Sequence, residues 1–163
     1  MAEVSFADKL CNASACGKLD DVLFLLDTAG ANVNGFNSFN RTAVQVAQLG
    51  NTALVETLLM AGADPNVPDP VLNLTVIHDA AREGFLQTVR VLLDHGADPN
   101  LVDGHGNLPL HLAAREGYLD VVRLLIESTA NPRATNNYGL SAGELAYRYG
   151  KSDVFNFIQE YLS

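Results

Sequence analysis

The groups in this sequence that could do chemistry are four histidines, two cysteines and a surplus of carboxylates. Metal ligation needs several donors converging on one point. Covalent catalysis needs a nucleophile beside a base. The sequence offers no Ser/His/Asp or Cys/His constellation, no phosphate loop and no metal motif. His95 precedes Gly96 at a helix end, where a cation suits the helix dipole, and His105 sits in a turn. Cys11 and Cys16 fall in one predicted helix, five residues apart, a spacing too long for the Cα separation of about 7 Å that a disulfide tolerates. They are expected to be small packing residues. Neither catalysis nor a cofactor has support. The remaining chemical lead is Asp79, a carboxylate able to accept charge-assisted hydrogen bonds from a guanidinium.

Asp79 stands out because of what surrounds it in a repeat. Thr42, Thr75, Leu108 and Ser141 are each 33 residues after the last. The column three further on reads Gln45, His78, His111, Glu144, and the next reads Val46, Asp79, Leu112, Leu145. Glycines recur at Gly17, Gly50, Gly84, Gly117 and Gly150. Leucine pairs follow them, and Gly-Ala pairs close the first three units. A fixed period of this length signals a stacked array.

Each unit has the chemistry of a helix, a turn, a second helix and a loop. In the fourth, Pro109 is tolerated in the first helical turn. Leu110, Ala113 and Ala114 form an apolar face at helical spacing. Gly117 ends the helix, where a left-handed residue is easily accommodated. Val121, Val122, Leu124 and Leu125 form the stripe of the second helix. The connectors, rich in Asp, Asn, Pro and Gly, are turns. One unit cannot bury its own apolar face, but a stack can. The pattern resembles the ankyrin repeat. The expected fold is an all-α ankyrin-repeat solenoid of five helix–turn–helix units joined by β-hairpin-like loops. One domain spans 1–163, with units at about 7–36, 37–69, 70–102, 103–136 and 137–163. His78 and His111 then occupy a column that bonds neighbouring units, a lattice position and not a metal site.

Composition narrows the partner. The formal net charge of −9 opposes binding to nucleic acid, a polyanion. It suits a partner presenting arginine or lysine. No apolar run is long enough for a membrane span and no secretion leader is evident. A soluble, intracellular, monomeric protein is expected.

Two features break the repeat. Gln45 to Gly50 is five steps, where the equivalent interval in units three to five is six. The first helix of unit two is therefore expected to be short, irregular and more exposed. Asp79 is the second break. Its local partner is Arg82, three residues on, and such a pair contributes only about 0.2–0.5 kcal/mol. That is too little to explain a charge in an apolar column. Asp20 and Asp21 open a helix, where acids favour the dipole. Asn40 stands where later units have Gly106 and Gly139, and asparagine tolerates the left-handed region. The fifth unit is expected to act as a cap, with its terminal aromatics folded back on the fourth.

Two runs carry a closer likeness. Arg41-Thr-Ala-Val-Gln-Val46 and Val76-Ile-His-Asp-Ala-Ala-Arg-Glu-Gly-Phe-Leu86 resemble the signature of the INK family of cyclin-dependent kinase inhibitors. Asn107-Leu-Pro-Leu-His-Leu-Ala113 also matches. The resemblance implies a non-enzymatic inhibitor that binds the kinases partnering D-type cyclins, beside the catalytic cleft. It implies weaker cyclin and ATP binding, arrest before S phase, and a cytoplasmic and nuclear location. By motif, the acid that meets a kinase arginine falls on Asp79, with Arg82 beside it. Further contacts fall on Asp69, on Asp20, and on Val46, Ala47, Gln48 and Leu49 in the short helix. A general ankyrin-repeat adaptor with a different partner would share the same scaffold.

Overall fold

Residues 4–163 are described by a computed structural model. They form ten α-helices in five pairs. The pairs are α1 (Phe6–Ala15) with α2 (Leu19–Asp27), α3 (Ala43–Val46) with α4 (Thr52–Met60), and α5 (Val76–Glu83) with α6 (Leu86–Asp94). Then come α7 (Pro109–Glu116) with α8 (Leu119–Ile126), and α9 (Ala142–Arg148) with α10 (Ser152–Leu162). Helices this short are marginal alone and depend on tertiary packing. The chain belongs to the all-α repeat class, with no strand among the described residues.

The first helices carry alanines where they meet. Ala80, Ala81, Ala113, Ala114 and Ala146 are fully buried. Small side chains let α5, α7 and α9 approach closely, more closely than the second helices approach one another. That difference bends the stack toward the first helices, which form its inner face. The second helices fill the layer behind with Val89, Leu92, Val121, Leu125 and Val154. Gly84 and Gly117 end α5 and α7 in the left-handed region, at φ 77° and 85°. A β-carbon there would also strike the next unit, since the Tyr118 ring lies against Gly84 and the Lys151 stem against Gly117.

Side chains tie the units together. Nδ1 of His78 accepts from the Thr75 backbone N–H at 3.1 Å, and Nε2 reaches the Asn107 carbonyl of the next unit at 2.9 Å. His111 repeats this with Leu108 and Ala134. Gln45 does the same with an amide, accepting from Thr42 at 2.7 Å and donating to the Val67 carbonyl at 3.2 Å. The histidine lattice implied by the ankyrin resemblance is thus present. Burial holds both imidazoles below the usual histidine value, which keeps them neutral.

The loops are hairpin-like. Backbone bonds close each tip, from Asn37 to Arg41, Asp69 to Leu74, Asp103 to Asn107 and Asn136 to Leu140. Asn40 takes φ 60° as expected, and so does Asn73, at 57°. In the fifth unit Phe157 packs under the Arg123 guanidinium of α8, 5.1 Å from its ring centroid. Phe157 therefore does turn back on unit four, whereas Phe155 packs on Tyr147 of its own unit, ring centroids 5.2 Å apart. The cysteines divide. Cys11 is buried, and its thiol is pushed up to about 11 by burial. Cys16 is not a packing residue: it lies just past α1 as its cap and is exposed.

Candidate functional site

Unit two departs from its neighbours as the spacing requires. Its first helix, α3, has four residues, against eight in α5 and α7. Ala47 leaves the helix with ψ 151°, so the chain runs extended before α4. Gly50 shares the glycine column but not its left-handed conformation, because the helix has already ended. The extended piece is pinned on both sides. The Gln48 N–H donates to the Ser14 carbonyl of unit one at 3.2 Å. The Leu49 carbonyl accepts from the Thr88 hydroxyl of unit three at 2.5 Å. The four candidate residues here separate by exposure. Gln48 is exposed, Val46 and Leu49 are half-buried, and Ala47 is buried. The Ala47 side chain is therefore packing material rather than a surface.

The shortening thins the inner row. α1 packs on α3, and α5 on α7, but α3 and α5 make little contact. Asp79 stands on α5, the helix bordering that gap, one turn in from its start. Its Oδ1 accepts from Arg82 Nη2 at 2.8 Å. The Asp79 side chain keeps 29% of its exposure and that of Arg82 39%. Among the described residues, Asp79 Oδ2 accepts no hydrogen bond. The carboxylate is thus reachable, and half of its acceptor capacity is unused. Burial raises its pKa above the usual carboxylate value, and the negative charges of Asp69 and Glu83 raise it further. The Arg82 guanidinium pulls the other way and does not fully compensate. A group in this state costs the fold free energy when ionised, and an added cation would relieve it.

Asp69 is more fully occupied. Its Oδ1 accepts from Arg41, with Nε at 2.9 Å and Nη2 at 2.8 Å. Its Oδ2 accepts from the backbone N–H groups of Val71 and Leu72. These bonds hold its carboxyl below the usual value, though burial opposes them. The loop tips show why. Asn37, Asp103 and Asn136 each use a side-chain oxygen to cap their own turn in the same way. Asp69 is the member of that column in the loop between units two and three, displaced by one residue. Sequence reasoning missed both this column and Arg41; the near-regular spacing of the four residues was the available signal. Asp20 is exposed in the first turn of α2, without a hydrogen bond or ion pair among the described residues. It lies two units away from Asp79.

The described residues contain no group of three or more metal-ligating side chains, and no helix long and apolar enough to cross a membrane. The arrangement is that of an ankyrin-type scaffold presenting a strained carboxylate on its inner face. The comparisons agree on the scaffold. A family model for ankyrin repeats matches residues 43–136 and 77–161. Human cyclin-dependent kinase 4 inhibitor B is 46% identical over 103 residues, which is 63% of this chain and 74% of that protein. Cyclin-dependent kinase inhibitor 2A from Monodelphis domestica is 45% identical over 112 residues, or 68% of this chain. The chain spans 65% of that relative's length. Human cyclin-dependent kinase inhibitor 2A is 44% identical over 106 residues, 65% of this chain and 67% of that protein. This chain therefore belongs to the INK family, the ankyrin-repeat inhibitors of cyclin-dependent kinases, which are binding proteins and not enzymes.

Proposed function

We propose that this chain inhibits cyclin-D-dependent kinases by binding the kinase alone, as a monomer, beside the catalytic cleft. Cyclin and ATP binding are then weakened and the cell is held before S phase, with the inhibitor acting in both cytoplasm and nucleus. The observation that carries this is Asp79, a half-buried carboxylate with a raised pKa and an unused oxygen. A kinase arginine placed there would form a desolvated, charge-assisted contact. Arg82 would hold the carboxylate in place from the other side. Gln48, exposed where α3 is cut short, and the half-buried Leu49 extend the same surface. Asp20 would supply a peripheral acid that speeds encounter more than it adds affinity. Asp69 contributes through its shape-keeping bonds to Arg41 and the turn, with little capacity left for a new cation.

The test is kinase binding by wild type and Asp79→Ala, with melting curves for both. The proposal expects affinity to fall sharply while the melting temperature barely moves. Equal binding by the two proteins would defeat it. So would a loss of stability large enough to account for the whole loss of affinity.

A further inference from the structure

The inner face changes sign along its length. Arg82, Arg115 and Arg148 form one column, 33 residues apart. They lie in the last turns of α5, α7 and α9, where a cation suits the helix dipole. In unit three Asp79 answers the guanidinium. In units four and five the equivalent residues are Leu112 and Leu145, both buried, so no carboxylate stands three residues back. Arg115 donates its Nε to Glu116 at 3.1 Å, which leaves its terminal nitrogens unengaged. Arg148 is exposed and makes no hydrogen bond or ion pair among the described residues.

Both arginines line one cleft of about 420 Å³, together with His105, Tyr138 and Tyr149. No carboxylate lines it. The nearby Asp103 is buried, with Oδ1 accepting from the His105 and Asn107 backbone. The Tyr138 hydroxyl lies 3.1 Å from His105 Nδ1, which fixes one wall. In a chain with 19 acidic and 10 basic residues, a cleft lined by two arginines and no carboxylate, with Arg148 unpaired among the described residues and Arg115 tied to Glu116 only through Nε, runs against the overall composition.

We propose that this cleft docks a short acidic segment of a protein partner, in extended conformation, through Arg115 and Arg148. Neighbouring helices pack about 8–10 Å apart. A chain extended as polyproline II, with three residues per turn, places residues three apart on one face at about 9 Å. Acids at every third position would therefore meet the two arginines in turn. The net charge of −9 repels a large polyanion or an anionic bilayer but leaves room for a short segment seated within the cleft. The site lies beyond Asp79 and does not depend on the kinase proposal.

The test uses the full chain and a short end-capped peptide with a zwitterionic rhodamine label, glutamate at every third position and serine between. Fluorescence anisotropy at low salt should show saturable binding, and the glutamine version of the peptide should not bind. Arg115→Gln and Arg148→Gln should each weaken binding by about fivefold or more, as loss of one partly exposed charge contact implies. Arg90→Gln, an exposed arginine on α6 outside the cleft, should bind as wild type does. The proposal is overturned by equal binding of the glutamine peptide, by an equal loss in Arg90→Gln, or by no saturable binding at all. Melting curves check that each variant is folded.

Discussion

Replacing Asp79 by asparagine keeps the shape and removes the charge. Two opposing effects on stability can be worked out. The pair with Arg82 is lost, at a cost of about 0.2–0.5 kcal/mol for an i,i+3 pair on a helix. The desolvation cost of an ionised, half-buried carboxylate is also removed. Because the raised pKa means that desolvation outweighs Arg82, the net change at neutral pH should be zero to slightly stabilising. In a domain of this size about 1 kcal/mol corresponds to roughly 2–4 °C, so the melting temperature should shift by no more than that. The sign has a pH signature. A folded-state value raised above that of an ordinary aspartate means the folded chain holds this proton more tightly than the unfolded chain. The Asp79 contribution is therefore best in acid and is lost as pH rises through the folded value. Asp79→Asn should accordingly gain on wild type between acid and neutral pH. Binding should behave oppositely. Removing one side of a desolvated charge contact costs about 2–5 kcal/mol, and the low end alone is about 30-fold in affinity. Urea unfolding across the pH range and calorimetric titration of the kinase would measure both. A variant less stable than wild type at pH 7, or one that binds unchanged, would refute the reasoning.

Three further outcomes are expected. His78 and His111 are held neutral by burial, so their contribution to stability is complete above the unfolded value of 6.5 and is lost as pH falls below it, by up to ~1.4 kcal/mol per pH unit for each. His78→Gln should keep the fold, since Gln45 makes the same two bonds in unit two, and should roughly halve that acid sensitivity in pH-dependent urea melts. Gly84→Ala should cost more than about 1–2 kcal/mol, because it adds left-handed strain to a clash with the Tyr118 ring at 2.6 Å; Gly50→Ala, at an ordinary φ and 3.4 Å from Phe85, should cost well under half as much in the same denaturant titration. Ser14→Ala should be neutral or should stabilise by up to about 1–2 kcal/mol, since the Ser14 hydroxyl is buried without a partner while Ala47, Ala81 and Ala114 fill the same column; calorimetry would read it as an unchanged or higher melting temperature.

What was legible in the sequence was whatever one period repeats. The helix pairs, the column that holds Gln45, His78 and His111, and the shortened α3 all follow from counting residues, because each depends on a spacing along one chain. Gly50 shows the limit. Its column implies a left-handed cap, yet its conformation depends on where the preceding helix stops, and that is three residues earlier than the column suggests. Asp69 shows another. The motif marks it as an acid for a partner, but its carboxylate is claimed by Arg41 and by two backbone N–H groups of its own turn. Those contacts arise only when the loop closes. The ties made by Asn34 and Asn66 were hidden for the same reason. Each donates to a carbonyl and accepts from an N–H of the next loop, about thirty residues on. In the sequence they are indistinguishable from ordinary turn asparagines.

The position of the irregularity follows from the one-dimensional logic of a solenoid, in which each unit is held only by its neighbours. Shortening α3 removes much of the contact between the first helices of units two and three. The junction is held instead from its flanks. Packing of α4 on α6, the Thr52–Thr88 hydroxyl contact at 3.0 Å, the Gln45 bridge and the Arg41–Asp69 pair all cross it. These bonds sit behind or beside the inner face and leave the face itself open. A full-length α3 would bring another apolar turn up against α5 beside Asp79. The carboxylate would then be driven toward complete burial, where an ion held by one arginine becomes very costly. On the proposed function, the deleted turn and the misplaced acid form a single device: the gap keeps Asp79 wet enough to remain charged and dry enough for an incoming guanidinium to matter.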